Sequence, residues 1–189
     1  MIRRAYVGAA RRMISLSVGA MLTFAVAHAY AAEAFTLSSP GLADGGTLES
    51  THAASANNCG GGNVSPALQW RNVPAGTKSY AVTIFDPDGA KGLGIVHWVL
   101  YGIASSVTAL GEGAAPPPGS VAGTNRTGGP GYYGPCPPVG EVPHHYVVQI
   151  YALDLGPDAL PAGLTRDALL AAMKDHVIAA TSTVLRYGR

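Results

Sequence analysis

Two short stretches of this chain gather side chains that can exchange protons or hold a charged group. Asp86-Pro87-Asp88 is followed by His97-Trp98, and Gly134-Pro135-Cys136-Pro137-Pro138 is followed by His144-His145-Tyr146. Neighbouring carboxylates cannot both ionise freely, and an imidazole beside them is drawn toward its charged form, so the set is expected to titrate near neutral pH. Its chemistry suits a phosphate or carboxylate ligand, held by imidazolium, by the Tyr146 hydroxyl and by backbone N–H groups of the Gly134–Cys136 turn. Asp-Pro-Asp alone is a turn, because Asp bonds to its own backbone, and a lone His beside Trp belongs to the edge of a core. Together with the Gly/Pro-rich loop they define one candidate site.

The positioning elements are strands. Tyr80 to Phe85 runs into the Asp pair, Val96 to Ile103 carries His97, and Tyr146 to Leu155 follows His144, so two strand ends are expected to meet at one pocket. Phe35 to Ser38 and Thr181 to Tyr187 are further strand-like runs, divided by turns rich in Gly, Pro and Asn. One helix is expected late: Thr165-Arg166-Asp167-Ala168 can cap and start it, and Leu164, Leu169, Met173 and Val177 give it one apolar face to about His176. Pro116-Pro117-Pro118-Gly119 is a rigid loop and not a domain linker, since parts of the site lie on both sides of it. His145 alternates with His144 and is expected on the opposite face, His52 and His176 on the surface, and Trp70 and Trp98 in the core. Asn63-Val64-Ser65 and Asn125-Arg126-Thr127 fit a glycosylation pattern, but the first, followed by Pro66, reads as a turn bonded by its own side chain.

The chain has 189 residues, 48% hydrophobic and 12% charged, with 25 Gly and 14 Pro, in keeping with a single domain after a leader. Arg3, Arg4, Arg11 and Arg12 precede an apolar run from Met13 to Ala27 and the small-x-small patterns Ala27-His28-Ala29 and Ala29-Tyr30-Ala31. This is the pattern of an export signal over residues 1–31 cleaved near Ala31, leaving a domain over 32–189. The apolar run falls short of the ~20 residues a spanning helix needs, and no later segment reaches that length. Arg3-Arg4 permits the twin-arginine route as well as the general one. Without those four arginines, 8 basic residues face 11 acidic ones, a balance of −3. No basic run remains, which argues against nucleic-acid binding. In an oxidising compartment the two cysteines, Cys59 and Cys136, are expected to form one disulfide, with two buried thiols as the alternative. No closely spaced partner gives them a zinc pattern, and no cofactor or metal is expected.

Four separated motifs resemble the phosphatidylethanolamine-binding protein family, also called Raf kinase inhibitor-like, and in particular its bacterial secreted members. They are Phe35-Thr36-Leu37-Ser38-Ser39-Pro40, the run Cys59-Gly60-Gly61-Gly62-Asn63-Val64-Ser65-Pro66-Ala67-Leu68-Gln69-Trp70 with Val73-Pro74-Ala75-Gly76 after it, and the two site stretches. Departures are His145 where the family commonly has Arg, Val96 in place of an aromatic, Gly102 in place of Asn, and Cys136 where a glycine or other small residue is usual. The resemblance implies a mainly β, sandwich-like fold with one or two short helices. It also implies that Asp86, Asp88, His97, Pro137, His144 and Tyr146 line a small anion pocket; Gly134 and Cys136 join them through the turn.

Three functions follow from this. The first is an exported, non-catalytic binding protein for a small anionic group such as a phosphate or phospho-head group. The second is an inhibitor or modulator of a kinase or protease acting through the same pocket, with a protein partner. The third is a hydrolase using the Asp/His cluster, disfavoured because no Gly-x-Ser-x-Gly elbow, free thiolate or His-Glu-x-x-His helix supplies a nucleophile or metal. A homodimer is compatible with the sequence and is not specified by it.

Overall fold

Tyr80, Val82 and Ile84 alternate with Ala81 and Thr83 along one strand, and all five are buried, so this strand must be covered on both faces. The computed structural model describes residue 1 and residues 33–189; the expected leader beyond Met1 and its cleavage point lie outside the described residues. Residues Glu33–Arg189 form one compact unit.

Among the described residues, nine strands build two sheets. In chain order they are β1 (Thr36–Ser38), β2 (Gly46–Thr47), β3 (Leu68–Arg71), β4 (Ser79–Asp86), β5 (Ile95–Ala104), β6 (Ala109–Leu110), β7 (Val121–Ala122), β8 (His144–Leu153) and β9 (Val177–Tyr187). The smaller sheet has the order β1-β3-β6, the larger β2-β9-β8-β4-β5-β7. Pairings in the large sheet are antiparallel, apart from the short parallel pairing of β2 with β9. The five runs expected from sequence are all strands. The additional β2, β3, β6 and β7 are two to four residues long, too short to show an alternation.

One face of the large sheet packs Tyr80, Val82, Ile84, Trp98, Leu100, Val148 and Ile150 against Leu37, Leu68, Trp70 and Leu110 of the small sheet. Trp70 meets Tyr80 edge-on, with ring centroids 5.2 Å apart. The other face presents Ala81, Val99, Tyr101, Tyr151 and Leu153 to Leu169 and Met173 of the helix Arg166–Met173. Thr165 caps that helix as expected, its Oγ1 accepting from Ala168 N at 3.3 Å. The helix gives way to a 3₁₀ turn at Lys174–His176, so Val177 starts β9 and does not extend the apolar face. A second helical turn, Gly89–Gly92, is distorted by positive φ at Ala90 (52°) and Lys91 (59°).

β5 is interrupted twice. Tyr80 pairs with Ile103 and Val82 with Leu100, so Tyr101 and Gly102 together face Ala81; Gly102 lies at φ 66°, a conformation suited to glycine. Ile84 pairs with Trp98 while Phe85 pairs with Val96, which makes His97 the surplus residue of a bulge.

Cys59 and Cys136 form a disulfide, with Cα atoms 5.3 Å apart and 77 residues separating them. Arg189 ties the same two segments together: Nε donates to Pro137 O at 2.8 Å and Nη1 to Asn58 O at 2.7 Å. Closing a loop of that length stabilises the fold by about 4 kcal/mol in the chain-entropy account. Thermal unfolding of the Cys59→Ser/Cys136→Ser double variant should therefore show a Tm lower by roughly 10 °C, given a few degrees per kcal/mol for a domain of this size. An unchanged Tm would mean that the cross-link contributes nothing beyond Arg189.

Candidate functional site

Asp86 ends β4, 2% exposed, and a carboxylate removed from water must be held by donors. Its Oδ1 accepts from the backbone N–H groups of Asp88 and Gly89, both at 2.9 Å, which folds the following turn around the side chain. Its Oδ2 accepts from His144 Nδ1 at 2.8 Å, bringing the start of β8 beside the end of β4. His144 Nε2 lies 3.2 Å from the exposed Glu141 Oε2. Burial lowers the affinity of His144 for a proton, but the hydrogen bonds to Asp86 and Glu141 outweigh it, and its pKa is raised above the ordinary histidine value.

His97, on the neighbouring strand, is 1% exposed. Because it is the bulged residue, its backbone is free of the ladder and pairs with the loop instead: Tyr133 N donates to His97 O at 2.9 Å. The ring repeats the contact, with Nδ1 2.6 Å from Tyr133 O. Its Nε2 lies 3.9 Å from Asp86 Oδ2, too far for a hydrogen bond, and has no partner among the described residues. Burial pushes the His97 pKa down, with Arg126 adding to the effect and the Tyr133 carbonyl and Asp86 opposing it. The expectation that every imidazole here is drawn to its charged form therefore fails for His97, because its desolvation exceeds the pull of a carboxylate nearly 4 Å away.

The loop that faces these residues is fixed from below by Asn63. Its Oδ1 accepts from Gly134 N at 2.8 Å and its Nδ2 donates to Tyr132 O at 3.2 Å. Asn63 was expected to bond within its own turn; it sits at φ 55° and reaches 71 residues along the chain instead. A side chain at Gly134 would collide with the backbone of His52–Ala54, so this glycine permits a close crossing of two chain segments. His52, expected at the surface, is 5% exposed and lies beneath that crossing with Nδ1 2.8 Å from Val64 O.

A cleft of about 260 Å³ opens over Asp86, His97 and His144, with Cys136, Pro137 and Pro138 on one side and Gly89, Ala90 and Ile95 on the other. Arg126 completes its wall, the guanidinium carbon 5.5 Å from the centre of the Tyr133 ring. Five of the expected site residues thus meet, namely Asp86, His97, Cys136, Pro137 and His144. The other three lie elsewhere. Asp88 points away from the cleft, its Oδ2 accepting from His145 N at 2.8 Å and facing His145 Nδ1 at 2.9 Å. That pair also explains why Asp88 is held below the usual carboxylate range, the His145 backbone bond first and its side chain second. Gly134 has its N–H committed to Asn63 and cannot offer it to an anion. Tyr146 is 1% exposed behind His97, ring centroids 5.1 Å apart, in a sealed apolar gap with Ile84, Val148 and Leu185. Its hydroxyl has no partner among the described residues, and burial pushes its pKa far up.

Arg126 is the residue that sequence reasoning passed over. In sequence it is the middle of the turn-like Asn125-Arg126-Thr127, yet it is the one Lys or Arg between Lys91 and Arg166. The turn holding it is bonded by its own side chain, Thr127 N and Oγ1 both donating to Asn125 Oδ1, while Arg126 N donates to Val96 O beside the His97 bulge.

Residues 38–188 match the family described as phosphatidylethanolamine-binding protein. This chain belongs to the phosphatidylethanolamine-binding protein family. Among its relatives, the UPF0098 protein YbcL of Escherichia coli (strain K12) is 42% identical over 147 residues, spanning 75% of this chain and 80% of that protein. The UPF0098 protein of Methanothermobacter thermautotrophicus is 39% identical over 135 residues, spanning 69% and 87%. The crystal structure of E. coli YbcL, described as a new member of the mammalian PEBP family, superposes with a TM-score of 0.76 at 35% identity, over 82% of this chain and 98% of that one. The homologue CT736 of Chlamydia trachomatis gives 0.72 at 31% identity, over the same shares. Membership of this family accounts for the mainly β fold.

The raised pKa of His144 has a definite sign. Its folded value exceeds the unfolded one, so the stability it contributes is fully present below the ordinary histidine range and is lost as pH rises through the raised value. Histidine NMR titration should place His144 above a free imidazole, and Glu141→Gln, a change at an exposed carboxylate, should lower it without unfolding the protein. A His144 resonance unmoved by Glu141→Gln would dissociate the two groups.

Proposed function

We propose that this chain is an exported, non-catalytic binding protein that takes a small anionic group, a phosphate or phospho-head group, in the cleft over Asp86, His97 and His144. The observation that carries this reading is Arg126: a cation without a carboxylate partner among the described residues, standing at the mouth of a cleft of about 260 Å³ with a buried polar floor. An Arg fork binds oxyanions in a bidentate way, and charge-assisted bonds of this kind are the stronger ones. The family's name, phosphatidylethanolamine-binding protein, supports the same ligand chemistry. The four leader arginines with the apolar run behind them, and the Cys59–Cys136 disulfide, support export. No nucleophile is paired with a base here: His144 is spent on Asp86 and Glu141, and both sulfurs are in the disulfide.

Isothermal titration with inorganic phosphate and with phosphoethanolamine tests the reading. Arg126→Ala should raise Kd at least tenfold, equal to about 1.4 kcal/mol, and His97→Ala should do likewise. Arg126 is exposed, so its removal should leave the Tm near native. Phosphate affinity that ignores both substitutions would move the binding site elsewhere.

A further inference from the structure

A second cleft, of about 370 Å³, lies against the first, and Ala90, Ile95 and Arg126 line both. Its far side is the start of the helix Arg166–Met173, and its ionisable residues are Arg126, Arg166 and Asp167. Both guanidinium groups are laid over aromatic rings: Arg126 over Tyr133, 5.5 Å from the ring centre, and Arg166 over Phe85, 4.5 Å from it. The Phe85 ring is itself held in place, since Gly94 crosses it so closely that a Cβ there would strike it. A guanidinium seated on a ring by its face keeps its N–H edge for other partners.

Neither arginine finds a full partner in the protein. Arg126 has no carboxylate within reach among the described residues. Arg166 Nε is closed off without an acceptor, which leaves the two Nη groups as what this side chain can offer. Its Nη1 lies 3.8 Å from Asp167 Oδ1, beyond a hydrogen bond. The Asp167 side chain is 93% exposed, and an ion pair in that much water is readily given up. Packing alone would explain one arginine on one ring. Two of them, brought to one cavity from the turn after β7 and from the helix start, point to a ligand with more than one anionic group.

We propose that the second cleft is a further anion subsite, so that the ligand is an organic phosphate carrying a second carboxylate or phosphate: the first group sits in the cleft over Asp86 and His144 beside Arg126, the second at Arg166. This rests on the anion-binding reading above and extends it past Arg126. A phosphodiester whose head group bears a carboxylate suits the two clefts as well as a monoester does. Added negative charge gains nothing from the chain as a whole, which has 8 Lys and Arg against 11 Asp and Glu once the leader arginines are set aside, so any gain must be local.

Calorimetric titration at pH 7 tests this with two pairs of soluble compounds, each differing by one anionic group. Glycerophosphoserine differs from glycerophosphoethanolamine by a carboxylate, and fructose 1,6-bisphosphate from fructose 6-phosphate by a more distant phosphate. In at least one pair the member with two anionic groups should bind tighter by about fivefold or more. Arg166→Gln should erase that advantage while leaving the member with one anionic group bound as before, which also shows that the variant is folded. Arg126→Gln should weaken both members. Asp167→Asn, a change at an exposed residue, should widen the advantage by removing the carboxylate that competes for Arg166; an advantage that shrank would count against the subsite. No advantage in either pair, or one that survives Arg166→Gln, would overturn the second subsite, and glycerophosphoethanolamine binding that still depends on Arg126 would leave the first cleft standing. If none of the four compounds binds, both readings fall.

Discussion

A carboxylate buried at the end of a strand constrains everything around it. Asp86 cannot remain in the interior unless donors surround it, and the three donors it recruits come from two separate places. Two belong to the turn that follows it, which is why the chain reverses there. One belongs to His144, which anchors the start of β8 and, through Glu141, the loop before it. Removing such a group would strand its partners, so the network is held by mutual need and not by the strength of any one bond. The cleft is the space left over when these partners have been placed.

What the sequence showed was the part written in local pattern. β4, β5, β8 and β9 are long enough for alternation to be visible, and Asp86, His97 and His144 stand at their ends or in a strand where a polar residue interrupts apolar ones. Pairings between distant segments were not visible. Nothing near Asn63 announces that its side chain will reach Gly134, so the glycine was read as an anion donor when its N–H is already committed. Asp88 resembles Asp86 in sequence, but the turn built on Asp86 swings it outward to His145. Tyr146 follows His144 by two and shares its side of β8, yet the layer of His97 comes between it and the cleft. Arg126 and His52 lie outside any periodic element, where only the folded chain reveals their surroundings.

The electrostatics of the site run from mouth to floor. Arg126 is solvated and its charge is permanent; burial pushes the enclosed His97 toward its neutral form; two carboxylates draw His144 toward its charged form. Two histidines within 4 Å of the same Asp86 oxygen therefore have pKa values displaced in opposite directions from the ordinary one. The difference is one of distance and solvation: 2.8 Å with Glu141 behind it for His144, and 3.9 Å with full burial for His97.

The bulge at His97 separates two things that are usually entangled in a sheet. Trp98 stays opposite Ile84 and Val96 opposite Phe85 whether or not a residue stands between them. A sequence that lost this single codon would keep its pairing register, its hydrophobic faces and its two layers, and would lose the imidazole, the bond to Tyr133 and the polar floor with it. The imidazole is thus an insertion into a pairing scheme already complete without it, and the register of the sheet sets no requirement on whether a residue stands there.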